Sequence, residues 1–196
     1  MNPAKIILAS KSPRRSQLLQ WAEIDFEVVV ADTEESFPPG LFPHEVAMNI
    51  ACNKAVEVKN IFEISHTNGN QYPIIAADTI VVLDNKIIGK PSGREEAINT
   101  LSMLSGRKHK VITGVCILSA EKKIVFAEET EVEFHVLSQT HIEYYVDNYK
   151  PYDKAGAYAI QEWIGVTGIK SIAGDFYNVM GLPVSRVVKE LESLVV

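Results

Sequence analysis

The sequence predicts an α/β protein built on one mixed β-sheet. Short runs of apolar or alternating residues, typical of strands, are interleaved with longer segments whose apolar residues recur at helical spacing. Several strand-like runs also follow each other directly, joined by tight turns. Hairpins make antiparallel neighbours and strand–helix–strand units make parallel ones, so we expect both kinds of pairing in the sheet.

The N-terminal half opens with a strand over residues 5–9. A helix is expected to follow, with Ser12 as N-cap and Pro13 at its first position, because proline there loses no hydrogen bond. A second strand over 26–32 leads through a proline-rich acidic loop to an amphipathic helix over 43–62, which has one apolar stripe.

Two further strands are expected between residues 72 and 91, joined by a hairpin turn at Asp84 and Asn85. A helix over 92–106 ends at Gly106. The remaining expected elements are an antiparallel meander over 109–137, a short helix over 138–149, a glycine-rich loop and strand over 151–180, and a closing helix over 183–195 that begins with Pro183.

The composition is that of an ordinary globular protein. The chain has 196 residues, of which 46% are hydrophobic and 22% are charged. This length suits a single domain over residues 1–196, built as one body or as two lobes. The net charge of −6 argues against broad binding to nucleic acid or to anionic membranes.

The sequence predicts a cytoplasmic protein and gives no spacing typical of a disulfide or zinc site. The first residues lack the apolar stretch of a signal peptide, and no apolar run approaches the length of a membrane span. Cys52 and Cys116 have no CxxC spacing, so we expect buried thiols without a role. The five histidines are scattered without the spacing of zinc ligands.

A basic pair, Arg14 and Arg15, follows Pro13 in the segment ASKSPRR. The first turn of a helix favours anions, so two guanidinium groups there call for an explanation. Either they lie on a solvated helix face or, with the hydroxyls of Ser10 and Ser12, they bind phosphate. The segment lacks the GxxxxGK[ST] pattern of a Walker A loop.

Asp78 lies inside the apolar run PIIAADTIVVL, where a lone carboxylate is costly. A strand-end aspartate bound by backbone N–H groups and a catalytic or metal-binding aspartate both remain open. Asp32, Glu34 and Glu35 crowd the loop after the second strand. That loop is either solvated or, if one of these three side chains meets Asp78 in space, part of an oxygen site for Mg²⁺ or Mn²⁺.

Three more side chains are candidates for binding. Lys54 sits among apolar positions of the 43–62 helix and Lys90 follows a glycine in IIGKP, and either lysine alone is often only structural. Gln161 lies in a segment with many glycines, and its amide both donates and accepts hydrogen bonds, which suits recognition of a pyrimidine edge.

Five ordered blocks of the chain resemble the Maf family of nucleoside triphosphate pyrophosphatases. The resemblance covers essentially the whole chain and is strongest in these blocks: ASKSPRR, AADTIV with GKP, LSGRKHKVITGV, DKAGAYAIQ and GDFYNVMGLP. The DKAGAYAIQ block is similar to the subgroup that acts on dTTP and UTP, as distinct from the subgroup that acts on 7-methyl-GTP.

The resemblance implies a role for several of these residues. Asp78 matches the catalytic acidic residue that accepts a proton. Arg15, Thr79 and Gln161 match positions tied to substrate specificity, and whether Arg14 or Arg15 matters more stays open. Whether Asp78 acts as a base directly or through a metal also stays open.

Glu35, Lys54 and Lys90 match further positions that line the family's cleft. Where the subgroup usually has AYGIQG, this chain has Ala159 and Glu162 in place of the glycines. Ala159 requires a backbone φ below zero, because L residues are strained above it. Glu162 places a charge beside Gln161, so the two departures bear on base preference more than on the type of reaction.

The resemblance implies a fold with an elongated central mixed sheet, helices on both sides and two lobes around a cleft, similar to inosine triphosphate pyrophosphatases. It implies a homodimer that hydrolyses the bond between the α- and β-phosphates, with Mg²⁺ or Mn²⁺ held by Glu35 and Asp78. Two alternatives remain: a nucleotide-binding regulator of septation with little turnover, and a generic phosphatase that releases orthophosphate.

Overall fold

The structure is a computed structural model that describes residues 5–33, 36–65, 72–120 and 122–194. Its strands are β1 (Ile6–Leu8), β2 (Phe26–Val28), β3 (Ile74–Leu83), β4 (Lys86–Ile88), β5 (Lys108–Leu118), β6 (Lys123–Phe134) and β7 (Ile169–Ala173). Its helices are α1 (Pro13–Trp21), α2 (Pro43–Ser65), α3 (Arg94–Leu104), α4 (Gln139–Tyr149), α5 (Trp163–Gly168), α6 (Phe176–Met180) and α7 (Val184–Glu192), with a 3₁₀ turn at Ala155–Ala157.

The described strands form one mixed sheet, as predicted. The strand order is β2-β1-β3-β5-β6-β7, and β4 pairs with β3 outside this path. β1 runs parallel to β2 and to β3, with Leu8 opposite Val28 on one side and Ile75 on the other. β4 is antiparallel to β3, and β7 is antiparallel to β6. The expected mixture of pairings is therefore confirmed.

The turn residues behave as their chemistry predicts. Asp84 and Asn85 join β3 to β4 with φ values of 49° and 61°. Asp and Asn tolerate this left-handed region better than other L residues, and a two-residue hairpin turn of this kind requires it. Gly106 follows α3 with a φ of 69°, and Pro13 begins α1 after Ser12 in the N-cap position. The hairpin and both helix ends are confirmed.

Several boundaries differ from the prediction. β2 ends at Val28 instead of continuing to residue 32, and α2 extends to Ser65. Pro183 precedes α7 as its N-cap residue instead of occupying the first helical position. The segment 151–180, predicted as loop and strand, also contains α5 and α6. Helices of five or six residues are too short to show a 3.6-residue period, so tertiary packing decides them.

The chain divides into two compact units. The first unit comprises residues up to Asp78, residues 113–128 and residues from Gly181 onward, and the second comprises residues 79–112 and 129–180. The predicted arrangement of one domain with two lobes around a cleft stays a prediction. Among the described helices, none combines the length and the apolar composition that a membrane span requires.

The core of the first unit packs α2 against the sheet. Its buried residues are Ile7, Ala9, Ala51, Ala55, Val58, Ile74, Ala76, Cys116 and Leu118. α2 comes very close to β5 at Gly114, where a Cβ atom would lie 2.2 Å from the backbone carbonyl carbon of Ala47. Only glycine fits at this point of β5, so the backbone of α2 is held directly against the strand that carries Cys116.

The second unit is centred on aromatic packing. His109 and Phe134 stack with ring centroids 5.5 Å apart, and Tyr158 meets both rings edge-on. The Nε2 atom of His109 and the hydroxyl of Tyr158 are 2.7 Å apart and share a hydrogen bond. Burial lowers the pKa of His109 to about 4, so the imidazole is neutral at pH 7.

Candidate active site

Asp78 is paired with Lys54. The carboxylate lies in the middle of the buried strand β3, and its Oδ1 atom is 2.7 Å from the Nζ atom of Lys54 on α2. Only 8% of the surface of Asp78 is exposed. A carboxylate so removed from water is stabilised by an opposite charge in hydrogen-bonding contact. The strand-end interpretation of Asp78 is therefore wrong, because the strand continues to Leu83 and the side chain is held by an ammonium group.

Arg15 is buried and bound to the protein itself. Its Nε donates to the carbonyl oxygen of Gly181 over 2.7 Å, and its Nη1 donates to the hydroxyl oxygen of Ser10 over 3.1 Å. The same hydroxyl accepts from the backbone N–H of Ser12. Arg14 is half-buried. The two arginines therefore differ: Arg15 ties the start of α1 to a distant segment, and Arg14 lies nearer the surface.

The parallel pairing of β1 with β3 places the end of β1 near the part of β3 that leads to Asp78. β1 ends at Leu8 opposite Ile75, and β3 continues in the same direction through Asp78 to Leu83. Ligands of open α/β sheets bind beyond the carboxyl ends of parallel strands. The arginine pair, which follows β1, and the Lys54–Asp78 pair therefore belong to the same end of the sheet in the first unit.

An exposed ion pair connects the loop after β2 to the loop after β1. The Nζ atom of Lys11 lies 2.8 Å from Oδ1 of Asp32, and this contact holds the pKa of the Asp32 carboxyl below its usual range. The chain continues from Asp32 toward Glu34 and Glu35, which lie outside the described residues. Lys11 was not among the predicted site residues, although its place within ASKSPRR was a signal.

The second unit holds the other three predicted site residues, Thr79, Lys90 and Gln161. Gly89, next to Lys90, accepts a hydrogen bond of 3.2 Å from the backbone N–H of Gly156. This bond joins the loop that carries Lys90 to the segment that leads to Gln161. Gly156 has a φ of 70°, and a Cβ there would lie 2.8 Å from the Val81 side chain. Both the backbone conformation and the lack of space therefore require glycine.

Gln161 lies exposed in a turn whose two ends contact Tyr145. The tyrosine hydroxyl accepts from the backbone N–H of Ala159 over 3.2 Å and donates to the carboxylate of Glu162. The backbone φ of Ala159 is not positive, so the alanine stands there without strain, as predicted. Sequence reasoning missed Tyr145, because nothing along the chain connects it with residues 159–162.

A divalent cation is compatible with the chemistry of Asp78. Magnesium and manganese prefer carboxylate oxygens and commonly use only one or two of them, together with substrate phosphates. Within the part of the chain that the structure describes, no three His, Cys, Asp or Glu side chains form a group that could hold a metal. Asp78 offers one such ligand, and the other predicted ligand, Glu35, lies outside the described residues.

The structure therefore brings the predicted residues together in two groups. In the first unit it joins Ser10 with Arg15 and Lys54 with Asp78, and Arg14 precedes Arg15 on α1. In the second unit it joins the Lys90 loop to the segment before Gln161. A pair of arginines after the carboxyl end of β1 and a buried carboxylate farther along its parallel neighbour β3 define an α/β protein with a site suited to a phosphate-bearing ligand.

The family model for the Maf-like proteins matches residues 5–194. The chain belongs to the Maf family. A dTTP/UTP pyrophosphatase of Bacteroides thetaiotaomicron is 47% identical over 191 residues, which are 97% of this chain and 96% of that protein. A dTTP/UTP pyrophosphatase of Cytophaga hutchinsonii is 51% identical over 189 residues, which are 96% of this chain and 84% of that protein.

A third relative and one solved structure are also similar to this chain. A dTTP/UTP pyrophosphatase of Bacillus cereus is 44% identical over 188 residues, covering 96% of this chain and 94% of that protein. The structure of the Staphylococcus aureus Ham1 protein overlaps 66% of this chain and 71% of its own, with 14% identity and a TM-score of 0.46. A likeness at that score is too weak to argue from.

Proposed function

We propose that this protein hydrolyses dTTP and UTP, or modified pyrimidine nucleotides, to the monophosphate and pyrophosphate as a house-cleaning enzyme. Membership of the Maf family and the names of its relatives support this proposal. The single observation that carries it is the Lys54–Asp78 pair. A binding protein needs the cations at this end of the sheet, but a hydrolase also needs a buried carboxylate among them.

The cationic side chains hold the triphosphate in this proposal. Arg14, Arg15 and Lys54 bind phosphate oxygens beyond the carboxyl end of β1, near Asp78 on β3. The resemblance assigns Lys90 the same role. Arg presents paired N–H donors that match phosphate oxygens, whereas Lys acts as a compact charge. Together they offset the negative charge that develops on the leaving pyrophosphate when the bond to the α-phosphorus breaks.

Asp78 provides the basic group. A water molecule attacks the α-phosphorus, the bond to the bridging oxygen breaks, and the proton of the water passes to the Asp78 carboxylate. Lys54 donates to Oδ1 of Asp78 over 2.7 Å and so fixes the orientation of the carboxylate. The rigid middle of β3 fixes the carboxylate's position, which a loop would not do.

The resemblance also assigns a divalent cation to this reaction. Asp78 and Glu35 would hold Mg²⁺ or Mn²⁺, and the bound cation would neutralise phosphate charge and polarise the reacting group. The hard oxygen of Asp78 fits this group in chemistry. We propose the cation as the cofactor of the enzyme.

Thr79 and Gln161 are proposed as specificity residues. The exposed amide of Gln161 can donate to a pyrimidine carbonyl and accept from the ring N–H. A site built to satisfy such edge hydrogen bonds discriminates strongly against bases that leave them unpaired. Thr79 directly follows Asp78 and is proposed to contribute its hydroxyl.

We also propose a cytoplasmic location, where the nucleotide pool is found, and a homodimer without nucleic-acid or membrane partners. Multi-angle light scattering would measure the mass, with twice 21.7 kDa expected. The named relatives do not favour the alternative of a septation regulator with little turnover.

One incubation tests the proposed reaction. The protein is given a panel of dTTP, UTP, CTP, GTP and ATP with Mg²⁺ or Mn²⁺, and pyrophosphate and orthophosphate are assayed separately. We expect pyrophosphate and the nucleoside monophosphate, fastest from dTTP and UTP, and activity that is lost with a chelator. Orthophosphate as the first product would identify a phosphatase, and no turnover with tight binding would identify a regulator.

A further inference from the structure

The exposed amide of Gln161 is carried by a tight turn. The backbone N–H of Glu162 donates to the carbonyl oxygen of Ala159 over 3.1 Å, which leaves Ile160 and Gln161 at the two central positions. Ile160 is buried and Gln161 is exposed. The turn is therefore anchored by the apolar side chain of Ile160 and presents the polar side chain of Gln161 to solvent.

A single buried hydroxyl holds both ends of this turn. The Tyr145 hydroxyl, on α4, accepts from the N–H of Ala159 and donates its own proton to the Glu162 carboxylate. Tyr145 is wholly buried. A hydrogen bond to an ionised acceptor is stronger than one between neutral groups, so the Tyr145–Glu162 bond dominates this connection.

The carboxylate of Glu162 has a second, cationic neighbour. Its Oε1 atom lies 3.6 Å from the Nζ atom of Lys154, which also contacts Asp153 over 2.8 Å. The Lys154 side chain is only 9% exposed, so its charge is poorly screened by water. The Lys154 ammonium therefore attracts the Glu162 carboxylate and helps to hold it where it accepts from Tyr145.

The backbone of α5 packs closely against the other side of the turn. A Cβ atom at Gly165, in the first turn of α5, would lie 1.8 Å from the carbonyl oxygen of Ile160. The backbone of α5 is therefore in direct contact with the centre of the turn. Packing restricts the turn from one side and the Tyr145 hydroxyl restricts it from the other.

From this geometry we infer that Tyr145 and Glu162 are positioning residues that hold the Gln161 turn in one conformation and thereby set the base selectivity. The inference rests on the proposed base-reading role of Gln161. Glu162 stands where the resemblance implies a glycine, which has no side chain to accept from a tyrosine. This chain therefore replaces backbone freedom at that position with a charge-assisted anchor.

Two kinds of measurement test the inference. The first is the ratio of kcat/KM for dTTP to kcat/KM for GTP, and the second is hydrogen exchange of the peptide that spans residues 158–164. The variants are Tyr145→Phe, Glu162→Ala and Glu162→Gln, with Gln161→Ala as the reference for the base contact. Tyr149→Phe is the matched control, because Tyr149 stacks on Tyr145 and the change removes only a neighbouring hydroxyl.

We expect Tyr145→Phe and Glu162→Ala to lower the ratio at least about fivefold, mainly through a higher KM for dTTP, and to speed exchange of the 158–164 peptide. Glu162→Gln keeps an acceptor for Tyr145 and is expected to fall between Glu162→Ala and the parent protein. Tyr149→Phe should leave both measurements unchanged. Because Tyr145→Phe keeps the ring and Glu162→Gln keeps the shape, both variants should fold even if Glu162→Ala does not.

Two results separate this inference from the function on which it rests. If Gln161→Ala lowers the ratio while Tyr145→Phe and Glu162→Gln do not, the anchor has no role in selectivity and the inference is overturned. If Gln161→Ala leaves the ratio unchanged, the proposed base contact is wrong. The anchor is then judged by exchange alone, and it is overturned if the 158–164 peptide exchanges at the parent rate in Tyr145→Phe.

Discussion

The ammonium of Lys54 and the carboxylate of Asp78 are 2.7 Å apart, and both side chains are largely withdrawn from water. Lys54 is on α2 and Asp78 is on β3, 24 positions further along the chain. Removing one member of such a pair leaves the other as an uncompensated charge, whereas removing both does not. The pair therefore links the proposed chemistry to the packing of α2 on the sheet.

Single and double substitutions of the pair separate these two roles. Asp78→Asn keeps the shape but removes the proton acceptor, so we expect turnover of dTTP to fall about 100-fold or more. The fold should stay intact by circular dichroism but be less stable, because the Lys54 ammonium loses its partner. Lys54→Met should lose activity and also stability, and the double variant Lys54→Met with Asp78→Asn should recover part of that stability. Turnover of Asp78→Asn at the parent rate would remove Asp78 from the mechanism.

The two arginines should respond differently to substitution. Arg15→Lys cannot reproduce the bonds to Gly181 and Ser10, so we expect it to lower the free energy of unfolding by about 1–3 kcal/mol as well as to weaken dTTP binding. Arg14→Gln should raise KM for dTTP with little change in unfolding by urea. Equal stability losses in both variants would contradict the distinct environments of the two side chains.

The Cys52 thiol should be unusually acidic. Its hydrogen bond with Cys116, helped by the charge of Lys123, lowers the pKa of Cys52 to about 6, while Cys116 is buried and its pKa is raised. Cys52 is only partly buried, so the expectation of two buried thiols is wrong for this residue. The rate of alkylation by iodoacetamide should rise through pH 6 and level off near pH 7, because the thiolate is the nucleophile.

The control for Cys52 is Cys116→Ala, which removes the hydrogen bond and should move the midpoint of the alkylation rate upward toward the ordinary value for a thiol, about 8.5. Cys52→Ser should abolish most of the fast alkylation. A midpoint above pH 8 in the parent protein would show that Cys116 does not stabilise the Cys52 thiolate.

His109 should make the fold sensitive to acid. Burial lowers the pKa of His109 to about 4, against an ordinary value of about 6.5, so below pH 6.5 the unfolded chain binds the proton more readily than the folded one. The stability that the neutral imidazole contributes is complete above pH 6.5 and is lost as the pH falls toward 4, by roughly 3 kcal/mol in total.

Urea unfolding at pH 7.5, 5.5 and 4.5 measures this loss. His109→Gln keeps a hydrogen-bonding partner for Tyr158 and cannot titrate, so the parent protein should lose stability relative to it across this range. A difference between parent and variant that stays constant with pH would mean that His109 titrates normally in the fold.

The approach of α2 to β5 should tolerate no side chain at Gly114. Gly114→Ala places a Cβ about where the backbone of Ala47 lies, so we expect a loss of about 2 kcal/mol or more in the free energy of unfolding. Gly89→Ala is the control, because a Cβ at Gly89 meets nothing within 4 Å. Thermal unfolding of the two variants measures the difference, and equal midpoints would contradict the close contact.

Local features of the chain were predictable because short-range chemistry decides them. Asp84 and Asn85 adopt positive φ readily, so the β3–β4 turn followed from two residues between apolar runs. α2 followed from its apolar stripe, and the mixed sheet followed from hairpins interleaved with helices. Asp78 and the arginine pair stood out as candidates because their charges conflicted with their surroundings, and the family resemblance added their roles.

The contacts that those residues make depend on tertiary structure. Lys54 meets Asp78 because α2 packs on β3, whereas Arg15 meets Gly181 and Tyr145 meets Glu162 because α1 and α4 pack against loops that are remote in the chain. A one-residue shift in a strand turns every side chain to the other face, and no local pattern specifies such distances between remote residues. The sequence thus determined the elements and the candidate groups, and packing determined which of them meet.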